Sequence, residues 1–389
     1  MKQMFMLNNI TILEWCLIGV LGLVFIYQTY FYIRYIGAVA RQKRRYNKCS
    51  VMHINPEGKG VSVIICARNE ESNIQPFLQS VLTQDYPRFE VIVVNDGSED
   101  QTQTIIDQYI KQYTNIKTTF VPKGARMGST KKLALTLGAK AAQYDYLLLT
   151  DADCRPYDTH WISTMMQGFE QSDKVEVVLG YGAYFYEKTW INHIIQYDTL
   201  FNGLHYLGAA ITGHPYMGVG RNLAYRKDTF FNNGGFTHLM KSYAGDDDLF
   251  VNRIANSHNT TVVLGRHSLT WTVPKQTWRG WVQQKKRHLS VSPSYRIGTK
   301  CHLILEPISR ALFYGLLIAI CVVCTLPICL MAAAILIMRL LLQYFTINRS
   351  AHAIGQKGIT IGLLLHDISM PIITLCLMSQ HRIYKHQIW

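Results

Sequence analysis

The chain has 389 residues, 49% of them hydrophobic, and carries 39 lysines and arginines against 25 acidic residues, a formal charge of +14. A basic balance of this size suits nucleic acid, an anionic membrane surface or a negatively charged substrate. Because much of the basic charge lies beside apolar runs and the sequence has no nucleic-acid-binding motif, it favours a lipid bilayer as partner and argues against nucleic acid.

The first predicted element is a transmembrane helix over residues 10–35. Residues 10–33 are almost wholly apolar, and about 20 helical residues suffice to cross a hydrocarbon core. Aromatic residues crowd the end of this stretch and the basic run 41–45 follows, as in an interfacial belt with a cytoplasmic flank. A cleaved signal peptide is the alternative, but the positive charge follows the apolar stretch and no small-residue cleavage site is present. We therefore expect an uncleaved anchor.

Residues 60–290 predict a catalytic domain of alternating strands and helices. Short runs rich in β-branched and apolar residues at 61–66, 89–94, 116–120 and 146–150 predict strands, and the stretches between them predict helices. Repeated βα units indicate an α/β fold with a mainly parallel sheet covered by helices. In such sheets ligands bind outside the carboxyl ends of the strands.

Polar clusters follow three of these strands. They are Arg68-Asn69-Glu70, Asp96-Gly97-Ser98 and Asp151-Ala152-Asp153. Each alone is compatible with ordinary turn chemistry, but together they suit a base, a ribose and a metal-bound diphosphate. Residues i and i+2 of a strand project to one side, so Asp151 and Asp153 are predicted to hold one Mg²⁺ or Mn²⁺ ion. With no Gly-x-Gly-x-x-Gly after the first strand and no P-loop, a dehydrogenase or kinase-type NTPase is disfavoured.

Residues 275–289 close this domain with tryptophans and basic residues. The pattern predicts a helix that lies along the membrane surface, and an amphipathic helix packed on the domain is the alternative.

Residues 303–378 predict a C-terminal transmembrane region of two to three segments. The apolar run 311–345 exceeds one span and has Pro327 near its middle, which favours two coupled spans. Residues 358–378 form a weaker third candidate, interrupted by His366, Asp367 and Pro371, for which spanning, re-entrant and interfacial arrangements stay open.

Six motifs occur in an order and spacing that resemble the family 2 glycosyltransferases. They are Ala67-Arg68-Asn69-Glu70-Glu71, Asn95-Asp96-Gly97-Ser98, Lys131-x-x-Ala134-Leu135, Asp151-Ala152-Asp153, Gly245-Asp246-Asp247-Asp248-Leu249 and Gln284-x-x-Arg287. The likeness covers residues 61–290 and is strongest to membrane-integrated members such as hyaluronan, chitin-oligosaccharide and poly-N-acetylglucosamine synthases. It implies the GT-A fold, a nucleotide-diphospho-sugar transferase fold with a Rossmann-like sheet.

The resemblance also implies a role for each matching residue. It assigns to the nucleotide sugar Asn69, Glu70, Asp96, Lys131, Asp151, Gln284 and Arg287. It makes Asp153, with Asp151, the ligand of a Mg²⁺ or Mn²⁺ ion that bridges the diphosphate. Lys131 is otherwise simply part of the first turn of a surface helix.

The triplet Asp246-Asp247-Asp248 falls where the family places its general base, Asp247, with Asp246 beside it. The acceptor hydroxyl must lose its proton as it attacks the anomeric carbon, which is work for a carboxylate within hydrogen-bond reach. Three crowded like charges raise at least one pKa and improve the base. An acidic helix N-terminus, favoured by the helix dipole, is the structural alternative.

Acceptor binding is implied for Gly220, Asn222 and His288. Residues 216–226 resemble the acceptor-side wall of the family, where glycines let a sugar approach the backbone. The polymer synthases have Gln-x-x-Arg-Trp, whereas this chain has His288 after Arg287. The family tryptophan stacks on the acceptor end, so the change argues against polymer handling.

These expectations combine into a membrane-bound inverting glycosyltransferase of cell-envelope polysaccharide or glycolipid synthesis. It transfers a sugar from a nucleotide sugar, with UDP as the expected nucleotide, to a hydroxyl of a lipid-linked or saccharide acceptor. We expect a multi-pass protein of a bacterial inner membrane with its catalytic domain in the cytoplasm. A processive polysaccharide synthase and an inactive GT-A membrane scaffold are the alternatives, and the oligomeric state stays open.

Overall fold

The computed structural model describes residues 11–48, 58–122, 130–240, 244–358 and 363–381. Within these ranges the chain forms two sheets, a set of helices that cover them, and long apolar helices at both ends. The strands are β1 Val61–Ala67, β2 Phe89–Asn95, β3 Ile116–Phe120, β4 Tyr146–Asp151, β5 Cys154–Pro156, β6 Val177–Leu179, β7 Gly182–Tyr184, β8 Leu223–Arg226, β9 Thr260–Val262 and β10 Thr270–Thr272.

The helices follow the strands in the alternation that the sequence predicts. They are α1 Ile12–Phe31, continued by a π-helical turn Tyr32–Ile36 into α2 Gly37–Lys48, then α3 Glu71–Leu82, α4 Thr102–Gln112, α5 Thr130–Ala141, α6 Trp161–Met166, α7 Trp190–Ile211, α8 Lys227–Asn232, α9 Asp248–Ile254, α10 Trp278–Leu289, α11 Ile297–Val323, α12 Leu326–Ala353 and α13 Leu363–His381.

The main sheet has seven strands in the order β3-β2-β1-β4-β8-β6-β9. The first four are parallel to one another, β8 is antiparallel to β4 and β6, and β9 is parallel to β6. This mainly parallel sheet confirms the α/β fold class. The smaller sheet has the strand order β5-β10-β7, and its strand β5 comes directly after β4 in the chain.

Strands β1, β2 and β4 of the main sheet are buried on both faces, whereas the edge strand β3 is mostly exposed. Alternate residues of each strand point to opposite sides. Ile64, Ile92 and Leu149 join one apolar core, which extends to α5 and α7, and Val63, Val91 and Leu148 join a second core under α3, α4 and α6. Strands buried on both faces read as continuous apolar runs, which is why the sequence revealed them.

Three helical stretches are long and apolar enough to cross a membrane: Ile12–Arg45, Ile297–Val323 and Leu326–Ala353. The expected N-terminal helix is present, and the apolar C-terminal run divides at residues 324–325, so Pro327 lies in the first turn of α12. The third candidate, α13, has an apolar part of Leu365–Met378, which is shorter than a span.

Contacts at both ends of the apolar helices connect them to one another and to the α/β domain. The backbone N–H of Thr325, between α11 and α12, donates to the Glu14 carboxylate at the start of α1, with 2.5 Å between the atoms. At the opposite ends, the Lys43 ammonium donates to the carbonyl of Leu264 at 3.3 Å, and Gly355 packs on Arg266. The α/β domain therefore contacts the end of α1–α2 and the end of α12.

Helix α10 begins at Trp278, three residues later than the predicted interfacial element, directly after the N-cap Thr277. Trp281 is buried in the core, whereas Trp278 is partly exposed. The Trp281 side of this helix therefore packs on the domain, as in the alternative that the sequence left open.

Candidate functional site

The loop after β1 is joined to the loop after β2 through Asn69. Its backbone has a φ of 54°, a left-handed conformation that asparagine tolerates better than most residues. The Asn69 N–H donates to Ser98 Oγ at 3.1 Å, and its side-chain oxygen accepts the N–H of Glu99 at 2.9 Å. Asn69 therefore holds two strand ends together, and its side-chain oxygen is already used for this purpose.

Asp96 and Glu70 lie at the same edge and are shielded from solvent to different degrees. Asp96 is buried, and burial raises its pKa although Thr130 and Arg68 act in the opposite direction. Burial also raises the pKa of Glu70, and the nearby Asp153 carboxylate adds to the rise. Several carboxylates therefore lie at this edge, and a bound cation or hydrogen-bond donor would offset their negative charge.

Lys131 links the two acidic motifs. From the first turn of α5 its ammonium lies 3.0 Å from Asp151 Oδ1 and 3.4 Å from Asp246 Oδ2. Burial lowers its pKa, but Asp151 and Asp246 outweigh that effect and raise the pKa well above the usual value. Lys131 is therefore a fixed cation between the strand end and the aspartate triplet.

Asp151 ends β4, and Asp153 lies in the turn before β5, outside the strand. The expectation that one strand carries both carboxylates is wrong in this detail, because the chain turns toward the smaller sheet after Asp151. A carboxylate oxygen of each still lies within 4.8 Å of the other and of the Cys154 sulfur.

The donor set fits a hard divalent cation. Burial, followed by repulsion from Asp151, raises the pKa of Asp153, so the two carboxylates resist being charged together without a neighbouring cation. Burial raises the pKa of the Cys154 thiol well above its usual value, which leaves the two carboxylates as the ligands. Oxygen ligands of this kind suit Mg²⁺ or Mn²⁺.

The three aspartates of the triplet have different surroundings. Asp246 faces Lys131, and although burial opposes it this pairing lowers the Asp246 pKa. Asp247 is the N-cap of α9: its carboxylate accepts the N–H of Gly220 at 2.6 Å and of Asp248 at 2.9 Å. Burial and then repulsion from Asp246 raise the Asp247 pKa, which makes it the stronger base of this pair.

Asp248 is buried. It accepts a hydrogen bond from the Tyr295 hydroxyl at 2.8 Å and one from the Leu249 N–H at 2.8 Å. Burial, followed by repulsion from Asp247, raises its pKa to about 8. Asp248 thus connects α9 to the segment that precedes α11.

Two residues of the predicted acceptor wall, Gly220 and Asn222, lie in different surroundings. Gly220 lies against the Asp247 carboxylate at the cleft. Asn222 is fully buried: its amide donates to the carbonyls of Tyr181 and Ser268 and accepts from Trp161. The expectation that the Asn222 side chain binds acceptor is therefore wrong, since all of its hydrogen bonds hold the fold.

Arg221, between these two residues, is a candidate that sequence reasoning did not single out. Its guanidinium lies 4.5 Å from the centre of the Tyr184 ring and donates to the Gly182 carbonyl at 2.8 Å. Its charge lowers the pKa of Asp153, while its Nε is buried without a partner among the described residues. No short-range pattern marks Arg221, because Tyr184 and Asp153 come from distant parts of the chain.

Helix α10 brings its three candidates near the same edge. Gln284 donates to the Tyr184 hydroxyl at 2.9 Å, so it supports the ring that Arg221 covers. Arg287 and His288 lie exposed in the last turn. The charges of Arg287 and Asp246 both act on His288, which puts this side chain within electrostatic reach of the triplet.

The fold and this edge define a class of protein. A mainly parallel sheet carries paired carboxylates at the end of β4, and a lysine connects them to an aspartate triplet at the start of α9. The cleft between them is lined by Cys66, Lys131, Leu135, Leu149, Thr150, Asp151, Gly220, Asp246 and Asp247. This is the architecture of the GT-A-like nucleotide-diphospho-sugar transferases.

Comparisons with known proteins show what this chain resembles. Residues 62–244 match the family model Glycosyl transferase family 2. It is 29% identical over 241 residues to the probable glycosyltransferase YdaM of Bacillus subtilis, a match covering 58% of this chain and 54% of that protein. Over 122 residues it is 35% identical to a poly-beta-1,6-N-acetyl-D-glucosamine synthase of Staphylococcus epidermidis, covering 31% of this chain and 28% of the synthase. The chain thus spans about half the length of the first relative and less of the second.

A solved structure has the same fold over nearly the whole chain. The mannosyltransferase PcManGT from Pyrobaculum calidifontis, in complex with GDP-Man and Mn²⁺, superposes with a TM-score of 0.59 at 18% identity. The superposition covers 94% of this chain and all of the other. It shows that the two chains share a fold.

Proposed function

We propose that the protein is a membrane-bound inverting glycosyltransferase that moves a sugar from a nucleotide sugar to a hydroxyl of a lipid-linked or saccharide acceptor. The observation that carries this proposal is the arrangement around Lys131, which lies 3.0 Å from Asp151 and 3.4 Å from Asp246. One fixed cation thus joins the carboxylates suited to the donor side with those suited to the acceptor side.

The nucleotide-sugar donor would bind at the edge formed by the ends of β1, β2 and β4. Asp96 and the loop of Asn69 suit the base and ribose, and Asp151 with Asp153 would hold a divalent cation against the diphosphate. The complex of PcManGT with GDP-Man and Mn²⁺ supports a nucleotide-sugar donor and a divalent ion in this fold. When bound, the ion offsets the negative charge that develops on the leaving nucleotide. Lys131 and Arg221 add fixed positive charge on either side.

Proton removal falls to Asp247. Two backbone N–H groups fix its carboxylate, at 2.6 Å and 2.9 Å, and its raised pKa improves its basicity. Asp246 is paired with Lys131 and has a lowered pKa, so it acts on Asp247 through its charge. A base held at a fixed position needs no rearrangement when the acceptor hydroxyl attacks the anomeric carbon.

A processive polysaccharide synthase is the second candidate, and one observation favours it. The match to the poly-N-acetylglucosamine synthase is 35% identical over 122 residues. Against it, His288 stands where the polymer synthases have the stacking tryptophan, which favours the addition of single sugars.

The first experiment identifies the donor. Purified protein is screened by thermal shift against UDP-, GDP- and dTDP-linked sugars, with and without Mn²⁺. We expect one nucleotide class to raise the melting temperature only when Mn²⁺ is present. A folded protein that no nucleotide sugar stabilises would instead support the catalytically silent GT-A scaffold.

A further inference from the structure

A second cluster of metal-ligating side chains lies at the far end of β5 from Asp153. Its members are Asp158, His160 and His267, and one carboxylate oxygen and one nitrogen from each ring all lie within 4.8 Å of one another. Strand β5, Cys154–Pro156, separates this cluster from Asp153, which precedes the strand. The transfer chemistry proposed above uses none of these three side chains.

Strand pairing brings Asp158 beside His267, although the two residues are 109 positions apart in the chain. Strand β5 pairs antiparallel with β10, and just beyond the paired residues the N–H of Tyr157 donates to the carbonyl of Leu269 at 2.9 Å. His267 lies in the single 3₁₀ turn Arg266–Ser268 that precedes β10. Its Nδ1 is 2.5 Å from Asp158 Oδ2, so the fold itself holds these two side chains together.

His160, the N-cap residue of α6, adds the third ligand. Its Nδ1 lies 3.8 Å from Asp158 Oδ1, and its backbone N–H donates to the same oxygen at 3.0 Å. Its carbonyl accepts the N–H of Thr164 at 2.9 Å, and the Asp158 carbonyl accepts the side-chain amide of Gln84 at 2.7 Å. Hydrogen bonds therefore fix the backbone of both residues, and only the side chains have to adjust to bring their ligand atoms onto one ion.

The ligand set selects a transition metal. Imidazole nitrogens suit Zn²⁺, Ni²⁺ and Cu²⁺, whereas Mg²⁺ and Mn²⁺ prefer oxygen ligands such as those of Asp151 and Asp153. Around a tetrahedral Zn²⁺ ion with bonds of about 2.0–2.1 Å, the ligand atoms lie roughly 3.4 Å apart. The 3.8 Å separation between His160 and Asp158 is close to this value. In the 2.5 Å contact between His267 and Asp158, a bound ion would displace the proton that the two groups share.

All three side chains are partly open to solvent. The exposed fraction is 28% for Asp158, 52% for His160 and 54% for His267. An ion can therefore reach them from solution, and water can complete its coordination, as at zinc sites with three protein ligands.

We propose that Asp158, His160 and His267 form a second metal site, which takes Zn²⁺ or a similar transition-metal ion and is separate from the catalytic ion. The ion would cross-link the segment before α6 to the turn before β10. This inference goes beyond the proposed function and does not depend on it, because the described lining of the catalytic cleft includes none of the three residues.

The location of the site indicates what a bound ion would stabilise. The turn that carries His267 begins with Arg266, and a Cβ on Gly355, just after α12, would lie 2.7 Å from the Arg266 Cα. Two residues earlier, the Leu264 carbonyl accepts a hydrogen bond from the Lys43 ammonium of α2 at 3.3 Å. The ion would therefore brace the surface of the α/β domain that contacts α2 and the end of α12.

Zn²⁺ titration of the metal-free full chain tests the proposal. The protein is purified in detergent with a histidine-free affinity tag, and binding is followed by competition with a chromophoric chelator. We expect a site with a dissociation constant of about 10 µM or tighter that persists in Asp153→Ala. His160→Ala and His267→Ala should each weaken binding about tenfold or more, whereas His258→Ala, at an exposed position outside the cluster, should leave it unchanged.

Thermal unfolding is the second readout, and the melting temperature without metal shows that each variant is folded. Zn²⁺ should raise the melting temperature of the wild type and of His258→Ala by about 2 °C or more, but not that of a variant with both His160→Ala and His267→Ala.

Unchanged Zn²⁺ affinity in both single histidine variants would overturn the proposal, as would a folded wild type whose dissociation constant is weaker than about 100 µM. Binding that is lost in Asp153→Ala and kept in the histidine variants would also overturn it, because the ion would then belong to the catalytic site.

Discussion

Asp247 is fixed by two backbone N–H groups, and this geometry makes its role separable from that of its neighbours. Asparagine retains an oxygen for these contacts and is as good an N-cap as aspartate, but it cannot accept the acceptor's proton. We expect Asp247→Asn to keep nucleotide affinity and lower turnover by about 10²–10⁴-fold, the usual share of general base catalysis. Sugar transfer and nucleotide binding measured on equal amounts of folded protein check this.

Asp246→Asn is the matched comparison. It removes the charge that faces Lys131 but leaves the group that accepts the proton, Asp247, in place. Asp246→Asn should therefore lower turnover less than Asp247→Asn. If both aspartates serve only the helix N-terminus, each variant should lose about 1 kcal/mol or less of stability and keep its turnover. A larger loss of turnover in Asp246→Asn at equal stability would show that the base lies one residue earlier.

Asp153→Ala tests the metal site. Removing one of two carboxylate ligands leaves the diphosphate charge uncompensated, so Mn²⁺-dependent nucleotide binding should be lost. Asp158→Ala is the control, since Asp158 pairs with His267 at 2.5 Å in a separate cluster. Titration calorimetry with UDP and GDP, with and without Mn²⁺, gives the answer. Unchanged Mn²⁺-dependent affinity in Asp153→Ala rejects the assignment.

Asp248 predicts a pH effect on stability. Its folded pKa of about 8 lies above its usual value, so between roughly pH 4 and 8 the folded state binds the extra proton. Its contribution to stability is present at low pH and declines as the pH rises through this window. Asp248→Asn should remove that slope and keep an oxygen for the Tyr295 hydroxyl. Thermal unfolding at pH 5.5 and 8.5 should therefore show a smaller difference in the variant, and an unchanged difference contradicts the argument.

At the scale of elements, α7 meets the π-helical turn after α1 through a glycine. A Cβ on Gly208 would lie 2.0 Å from the Tyr35 carbonyl oxygen, and backbone cannot give way as a side chain can. Gly208→Ala should therefore lower stability by about 1–3 kcal/mol, the usual cost of overpacking. Gly315→Ala, in α11 with open space around it, should be near neutral. Equal melting temperatures of the two variants in detergent would contradict this close contact.

The elements that the sequence predicted best are those whose pattern is local. Strands β1, β2 and β4 are buried on both faces, so their apolar runs mark them, and Pro327 marked the division between α11 and α12. The turn that takes Asp153 out of β4 depends on pairing between β5 and β10, which are distant in sequence.

The candidate site follows the same rule. Asp151 and the aspartate triplet stand out because their residue types are chemically suited and closely spaced. The burial of Asn222 depends on Trp161, Tyr181 and Ser268, and the position of Arg221 depends on Tyr184. Such long-range packing has no signature in a single stretch of sequence, which is why one residue was misassigned and the other was missed.

At the scale of the whole molecule, the contacts at both ends of the apolar helices predict a topology. Basic residues 41–45 lie on the catalytic-domain side, and positive flanks stay cytoplasmic. We therefore expect the amino terminus to be extracytoplasmic and the catalytic domain to be cytoplasmic. In intact cells or spheroplasts, a protease should reach an epitope tag at the amino terminus of the protein before permeabilisation. It should reach a tag inserted near Lys174 only after permeabilisation. The reverse pattern would overturn the orientation.

The central claim is that Asp151, Asp153 and Asp247 form one metal-assisted transfer site. The most direct measurement is release of nucleoside diphosphate by the purified full chain, supplied with its stabilising nucleotide sugar, Mn²⁺ and a lipid extract as acceptor source. We predict release that requires Mn²⁺, falls at least 100-fold in Asp153→Ala and Asp247→Asn, and persists in Asp158→Ala. Release that continues in folded Asp153→Ala or Asp247→Asn at the wild-type rate would contradict the claim.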